Sequence, residues 1–220
     1  MKKSRIISML TAAAMLSLNA FSITASAEST PTANNVTNNY VVEINVAANS
    51  NIANAAITTT YNINMLEFNS ILEGSAISDA STGWDGYKQY DGLVCCEYYD
   101  TTNAITSQGQ IAQIRFDSSY NLDDATNYFD VTYSYLKLAD GTNVSEDYVS
   151  VNCYLMGDVT FDGQVTEIDA EIIALYAVGS LSLSGNALRA ADVNFDGSID
   201  ALDATMVGRF SVGTLTSFWS

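Results

Sequence analysis

The strongest constraint on this chain is a short acidic pattern near its C-terminus that occurs twice. The copies read DVTFDGQVTEID at 158–169 (loop 1) and DVNFDGSIDALD at 192–203 (loop 2), so the second begins 34 residues after the first. The agreement continues beyond the loops to Gly179 and Gly213, which occupy equivalent positions. We therefore expect this region to fold as two copies of one loop-and-helix unit.

Each copy has the oxygen-rich composition of an EF-hand calcium loop. Calcium takes roughly six to eight oxygen ligands, which such a loop supplies from positions 1, 3, 5, 7, 9 and 12, with glycine at position 6 for a sharp turn. Gly163 and Gly197 occupy position 6. The predicted ligands of two calcium ions are Asp158, Thr160, Asp162, Gln164, Thr166 and Asp169 in loop 1, and Asp192, Asn194, Asp196, Ser198, Asp200 and Asp203 in loop 2.

The two loops differ in charge. Four of the predicted ligands are carboxylates in loop 2 and three in loop 1, where Thr160 is a neutral donor. Because calcium affinity rises with ligand charge, we expect loop 2 to fill first. Position 12 is Asp rather than Glu, and no helix is predicted before either loop. The region from 156 to 220 therefore reads as a small all-α module of two half EF-hands, each with an apolar helical stripe after its loop.

Residues 37–155 follow a different pattern, with short apolar runs that alternate and are separated by Asn, Asp, Ser and Gly clusters. Such a pattern without helical stretches predicts an all-β antiparallel sandwich. The β-rich runs are Tyr40–Val46, Ile57–Tyr61, Gly92–Tyr99, Gln110–Phe116, Tyr128–Leu138 and Tyr148–Leu155. Cys96 and Cys153 are both expected to point inward, which allows either a disulfide or two buried thiols. Cys95 is expected on the opposite face of its strand.

The N-terminus has the layout of a secretory signal peptide, expected to be cleaved after Ala27. Lys2, Lys3 and Arg5 precede an apolar stretch that ends in small residues, and residues 28–36 read as a short disordered leader. The mature chain is then secreted and extracellular, with no later segment apolar enough to span a membrane. It keeps five basic against 25 acidic residues, a balance that excludes nucleic acid as an expected partner. The chain has no His, the usual general base and transition-metal ligand.

The tandem units with a Gly-Asp-Val opening and Asp at position 12 resemble a type I dockerin, and the resemblance covers about 60 residues. Dockerins bind cohesin modules and so place secreted proteins in cellulosomes, the multienzyme complexes that degrade polysaccharides. The family places partner choice at loop positions 10 and 11 and on the following helix. Carried over, these positions are Glu167, Ile168, Ala174, Leu175, Ala201, Leu202, Gly208 and Arg209. Many dockerins have Ser/Thr pairs at positions 10 and 11, and this chain does not.

The N-terminal region resembles a cohesin in three stretches, 60–68, 92–100 and 109–116. Cohesins are jelly-roll sandwiches that bind a dockerin on one flat sheet face. The candidate residues of that face are Glu97, Tyr99, Gln113 and Arg115. Together the resemblances imply a non-catalytic adaptor scaffoldin. Its dockerin would bind a cohesin of a scaffoldin, and its cohesin-like module would bind a dockerin-bearing subunit.

Two other functions compete with that hypothesis. The sandwich could be a carbohydrate-binding module carried on a dockerin, with sugar rings stacking on Trp84, Tyr87, Tyr90, Tyr98 and Tyr99. A small dockerin-bearing enzyme is the weaker alternative, because the sandwich has no distinctive acidic motif for glycoside hydrolysis. We therefore expect no enzymatic activity.

Overall fold

The computed structural model describes residues 33–77, 83–99 and 104–219, all of which belong to one unit, Pro31–Ser220. The predicted signal peptide, 1–27, lies outside the described residues, as do residues 28–32 of the predicted leader. Within the described ranges, no helix is long and apolar enough to cross a membrane.

In the described part of the chain, eight strands precede three α-helices. The strands are β1 (Ala33–Val46), β2 (Asn54–Tyr61), β3 (Glu67–Glu73), β4 (Gly83–Tyr90), β5 (Leu93–Tyr99), β6 (Gly109–Tyr120), β7 (Phe129–Lys137) and β8 (Val149–Leu155). The helices are α1 (Glu167–Ala177), α2 (Asn186–Ala191) and α3 (Ala201–Ser211).

The strands form two four-stranded antiparallel sheets. Sheet I has the order β3-β6-β1-β8, and sheet II has the order β4-β5-β2-β7. The predicted sandwich followed by a small helical module is therefore confirmed. Strand alternation explains the core between the sheets, because successive side chains of a strand point to opposite faces. Tyr40, Val42 and Ile44 of β1 point into this core together with Ile57 and Phe116.

Two strands were missed by the sequence patterns. β4 contains glycine at positions 83 and 86, which interrupts the alternation of apolar and polar residues. β3 lies at the edge of sheet I, where it pairs with β6, and its sequence EFNSILE also lacks a regular alternation. β1 also begins earlier than expected, at Ala33, within the stretch predicted as a leader. Strands pair through backbone hydrogen bonds whatever their side chains, so polar residues such as Asn38 and Asn39 can extend β1 along β6.

All three cysteines are thiols in the structure. Cys96 points into the sandwich core, and Cys153 packs against it from β8. Burial raises the pKa of each of these two thiols to about 12. Of the two alternatives left by the sequence, the structure contains the buried thiols.

The helical module has a core of its own, which extends onto the sandwich. Ile173, Val207 and Phe210 are fully buried there with Val41 of β1 and Tyr154 of β8. α1 packs against α3, and Ala170 of α1 lies close to Gly208 of α3. A short helix, α2, precedes loop 2, where the sequence predicted only a short connection.

Candidate functional site

The two loops adopt the same backbone conformation. Gly163 and Gly197, at position 6, have φ of 82° and 83°. Phe161 and Phe195, at position 4, both have φ of 59°, in the left-handed region that side chains with a Cβ rarely adopt. The same two unusual positions in both copies show that the 34-residue repeat is also a structural repeat.

In loop 1 three of the predicted donors, at positions 1, 3 and 12, lie close together. Phe161 and Gly163 donate backbone N–H bonds to the Asp158 carboxylate, at 2.7 and 2.9 Å. The Thr160 hydroxyl lies 3.3 Å from Asp158 Oδ1 and 3.0 Å from Asp169 Oδ1. Positions 1, 3 and 12 of the loop are thus brought to one point from residues as far apart as 158 and 169.

Loop 2 is built in the same way around Asp192. Asp196 and Gly197 donate backbone N–H bonds to the Asp192 carboxylate, at 3.2 and 3.0 Å. The Asn194 amide donates to Asp196 Oδ2 at 2.8 Å, which joins positions 3 and 5. Burial is the main cause that raises the pKa of the Asp158 and Asp192 carboxyls, and neighbouring carboxylates add to it.

The position-12 carboxylates connect each loop to its helix. Asp169 and Asp203 are fully buried, and each closes a capping box with the N-cap residue of its helix, Thr166 for α1 and Asp200 for α3. One oxygen of Asp169 also accepts from Val159 N–H and Thr160 N–H, and Asp203 does the same in loop 2. A carboxylate at position 12 therefore fixes the start of the loop and the start of the helix together.

The donor chemistry fits calcium, although the loops are held here by hydrogen bonds. Each loop offers carboxylate, hydroxyl and amide oxygens as possible ligands. In the described part of the chain, no ion pair involves a loop carboxylate. Within that part, no group of three or more carboxylate, imidazole or thiolate side chains is arranged as a metal centre. Several loop carboxylates accept hydrogen bonds from backbone N–H groups of their own loop, as Asp158 does from Gly163.

Loop 2 contacts the sandwich through its position-4 side chain. The Arg115 guanidinium of β6 lies 4.0 Å from the centre of the Phe195 ring and 5.3 Å from the centre of the Trp219 ring. The rings of Phe195 and Trp219 are themselves 6.1 Å apart. The Trp219 indole N–H donates to Asp117 of β6 at 2.8 Å.

Residues 216–219, here called the C-terminal clasp, attach the end of the chain to β1. Thr37 N–H donates to the Thr216 carbonyl at 3.1 Å, and Phe218 N–H donates to the buried Asn39 side chain at 2.8 Å. The Phe218 ring stacks on Phe210 of α3, with centroids 4.6 Å apart. The clasp thus contacts the helical module and the sandwich together.

An ion pair connects α2 to β1 of sheet I. Arg189 Nε lies 2.9 Å from Glu43 Oε2, and the Tyr154 hydroxyl donates to Glu43 Oε1 at 2.7 Å. Glu43 is almost fully buried, and these two contacts offset part of the cost of removing its carboxylate from water. Burial, followed by the Glu43 charge, raises the pKa of the Tyr154 hydroxyl well above its usual range.

The four predicted cohesin-face residues do not share one surface, which corrects that prediction. Glu97 and Tyr99 belong to β5 in sheet II, whereas Gln113 and Arg115 belong to β6 in sheet I. The outer face of sheet I is covered by the helical module through Val41, Tyr154 and Arg115. Period-2 alternation predicts which residues point outward, but it does not show what covers them.

The outer face of sheet II carries three tyrosines together with the carboxylates of Asp85 and Glu97, which lie opposite each other in the β4–β5 register. The register aligns Tyr87 beside Cys95, and Tyr135 in the same row as Glu97. The Tyr87 hydroxyl donates to Glu97 Oε1 at 3.2 Å. Tyr99 is 63% exposed, and its ring lies over Gly83, where a Cβ atom would collide with it. We call Tyr87, Glu97, Tyr99 and Tyr135 the tyrosine face.

The predicted sugar-binding aromatics are also divided by the structure. Tyr98 is in the sandwich core, and Trp84 packs against that core. These two side chains do not form a sugar-stacking platform with the others, because they point away from the tyrosine face. Tyr87 and Tyr99 remain on that face, and Tyr90 is exposed at the end of β4.

The predicted dockerin-type recognition residues lie on the surface of the helical module. Ile168 and Leu202, at loop position 11 in the two copies, are 58% and 52% exposed. Their neighbours at position 10, Glu167 and Ala201, are exposed as well, as are Ala174, Leu175 and Arg209, while Gly208 is half-buried. The predicted recognition positions are therefore accessible in both copies of the repeat.

Sequence reasoning missed the residues that join the module to sheet I. Asn39, Glu43, Asp117 and Arg189 carry no motif, and their partners are far away in sequence. The only available signal was the aromatic pair Phe218 and Trp219 at the chain end.

Residues 156–210 match the family described as "Dockerin type I domain", so the predicted C-terminal module is confirmed over that range. A dockerin domain is a non-catalytic interaction module. A sequence search of curated proteins finds no match to the chain.

The N-terminal region is similar in structure to several cohesins. A non-cellulosomal cohesin from the archaeon Archaeoglobus fulgidus matches with 15% identity and a TM-score of 0.39, over 52% of this chain and 75% of its own. The sixth cohesin of Acetivibrio cellulolyticus scaffoldin B, in complex with the Cel5 dockerin, matches with 21% identity and a TM-score of 0.41, over 51% and 84%. The OlpC cohesin complex from Clostridium thermocellum matches with 15% identity and a TM-score of 0.37, over 53% and 91%.

Proposed function

We propose that this chain, whose residues 156–210 are a dockerin type I domain, is a secreted adaptor protein of a cellulosome. In this proposal the C-terminal module spans 156–220 and binds a cohesin of a scaffoldin. The sandwich, 37–155, binds the dockerin of another subunit. The observation that carries the proposal is the pair of equivalent loops with buried position-12 carboxylates, which lie within the residues that match the dockerin family.

The loops are proposed to bind two calcium ions, and binding to the cohesin is proposed to depend on them. The predicted ligand positions would hold the metal, which supplies positive charge that offsets the repulsion between the carboxylates. The chain's own part is to hold the donors in place. Gly163 and Gly197 make the turns, and Asp169 and Asp203 join each loop to its helix.

We assign cohesin recognition to the exposed apolar residues of the module. Ile168 and Leu202 are the strongest candidates, because each is large, apolar and more than half exposed. Burying such side chains against a partner contributes about 1.5–3 kcal/mol each when burial is complete.

The outer face of sheet II is the proposed site for the second partner. The outer face of sheet I is covered by the protein's own C-terminal module, which leaves the tyrosine face as the open sheet surface. Tyrosines are enriched where proteins bind each other, because a rigid ring supplies contact area and a hydroxyl supplies a hydrogen bond. Tyr99 and Tyr135 therefore replace Gln113 and Arg115 as candidates for this surface.

Carbohydrate binding is the second candidate for the same face. The three tyrosines of this face could stack sugar rings, and Glu97 could accept hydrogen bonds from sugar hydroxyls. Both candidates use the tyrosine face, so one experiment can separate them by the ligand that binds.

The test uses the chain from residue 28 in calorimetric titrations against a panel of cohesins, a panel of dockerins and soluble polysaccharides. Asp162→Ala combined with Asp196→Ala is expected to remove cohesin binding and to leave binding at the tyrosine face unchanged. Tyr99→Ala is expected to weaken dockerin binding by about tenfold or more and to leave cohesin binding unchanged. Tyr148→Ala, a matched exposed tyrosine outside the tyrosine face, should change neither.

Two outcomes would contradict the proposal. Cohesin binding that survives both EDTA and the loop substitutions would overturn the calcium-dependent role of the module. Binding to polysaccharide, lost in Tyr99→Ala, with no dockerin bound, would replace the second partner by a carbohydrate.

A further inference from the structure

The position-4 phenylalanines are equivalent in sequence and in backbone conformation but have different surroundings. Phe161 of loop 1 is 56% exposed. Phe195 of loop 2 is partly buried between Arg115 of β6 and Trp219 of the C-terminal clasp. Loop 2 is therefore attached to the sandwich by a side chain whose counterpart in loop 1 points into solvent.

Hydrogen bonds position both neighbours of the Phe195 ring, Arg115 and Trp219. The Arg115 Nε–H donates to Gln113 Oε1 at 3.2 Å, which orients the guanidinium on sheet I. The Trp219 indole donates to Asp117, two residues further along the same strand. An arginine over an aromatic ring is a favourable cation–π contact, and it is stronger where water is excluded.

Phe195 is also part of the loop that would bind the metal. Its neighbours on either side, Asn194 and Asp196, are the predicted ligands at positions 3 and 5. Phe195 lies directly between them, so its ring and both donors are carried by one short backbone segment with a φ of 59° at Phe195. The same backbone segment thus supplies ligands and contacts the sandwich.

We propose that calcium binding by loop 2 is coupled to the packing of Phe195 between Arg115 and Trp219, whereas calcium binding by loop 1 is not. This inference rests on the proposed calcium binding. Coupling is reciprocal, so the packed ring favours the metal-binding conformation of loop 2, and bound metal favours the packed ring. The metal would then strengthen the attachment of the C-terminal module to the sandwich.

For the substitution Arg115→Ala, electrostatics alone and the proposed coupling predict opposite changes in the calcium affinity of loop 2. Arg115 is a cation beside an acidic loop, and removing it should strengthen calcium binding if charge were its main influence. If the coupling holds, Arg115→Ala loosens Phe195 and calcium binding weakens. The direction of the change therefore decides between the two.

The experiment is a calorimetric calcium titration of the chain from residue 28, with one loop disabled at a time. In the Asp162→Ala background only loop 2 titrates, and adding Arg115→Ala is expected to weaken its affinity between about twofold and thirtyfold. In the Asp196→Ala background only loop 1 titrates, and Arg115→Ala should leave it unchanged. Unchanged or tighter binding by loop 2 would overturn the coupling, and so would equal weakening of both loops.

The reciprocal effect has an optical readout. Trp219 and Trp84 are the two tryptophans of the chain, so a Trp84→Phe variant reports on Trp219 alone. Calcium is expected to change its emission with the midpoint of the loop 2 titration, and Phe195→Ala should abolish that change. An emission change that follows loop 1 would contradict the inference. A wild-type chain that binds no calcium would instead refute the proposed metal binding, which separates the two failures.

Discussion

The two loop-and-helix repeats share their local structure and differ in what surrounds them. Both have a left-handed phenylalanine, a left-handed glycine, a buried carboxylate and a capping box at equivalent positions. They diverge where the chain meets the sandwich: Ser184 after repeat 1 is exposed, and its equivalent Phe218 after repeat 2 is buried. The comparison shows that local sequence builds the repeat and that long-range contacts make its copies unequal.

The first prediction, with the largest effect, tests the shared part of the repeats. Asp169→Ala and Asp203→Ala should each lower the free energy of unfolding by about 4 kcal/mol, because each leaves three buried or partly buried N–H groups without an acceptor. The measurement is urea unfolding without calcium, followed by far-UV circular dichroism. A loss in one repeat only would show that the two position-12 carboxylates are not equivalent.

The second prediction tests the part that differs. Phe218→Ala should cost about 3 kcal/mol of stability, because it removes a buried ring that stacks on Phe210. The matched substitution Ser184→Ala in repeat 1 should cost close to nothing, since Ser184 is exposed. Thermal unfolding of both variants measures the difference. If their midpoints are equal, the C-terminal clasp does not stabilise the protein.

The third and smallest effect compares position 4 of the two loops. Phe161→Gly should stabilise the chain slightly, because glycine adopts a φ of 59° without strain. Phe195→Gly gains the same relief but loses its contacts with Arg115 and Trp219, so it should be less stable than Phe161→Gly by about 1 kcal/mol. The added flexibility of glycine is common to both variants and cancels in this comparison. Chemical unfolding of the two variants, without calcium, gives the difference directly.

Features set by nearby residues were predictable. The spacing of Asp and Gly predicted both loops, and the position-12 Asp lies three residues after each N-cap residue, Thr166 and Asp200, as a capping box requires. Alternation in strands such as β1 predicted the sandwich and the inward direction of Cys96.

Features set by distant residues were not predictable. Arg189 and Glu43 are far apart in sequence, and neither carries a pattern that names the other. The same limitation explains why Arg115 was expected on an open face: the strand pattern correctly points it outward, but Phe195 covers it from a different module. Packing between modules requires the tertiary structure.

The double attachment of the C-terminal module has a mechanical consequence. The module is continuous with β8 at one end, through Leu155 and Met156, and its other end is tied to β1 through Asn39 and Phe218. A module connected to its neighbour at one end only transmits tension but can rotate about that connection. A module held at both ends also resists rotation. If the two proposed partners pull on this protein, it should therefore keep them at a set orientation under load.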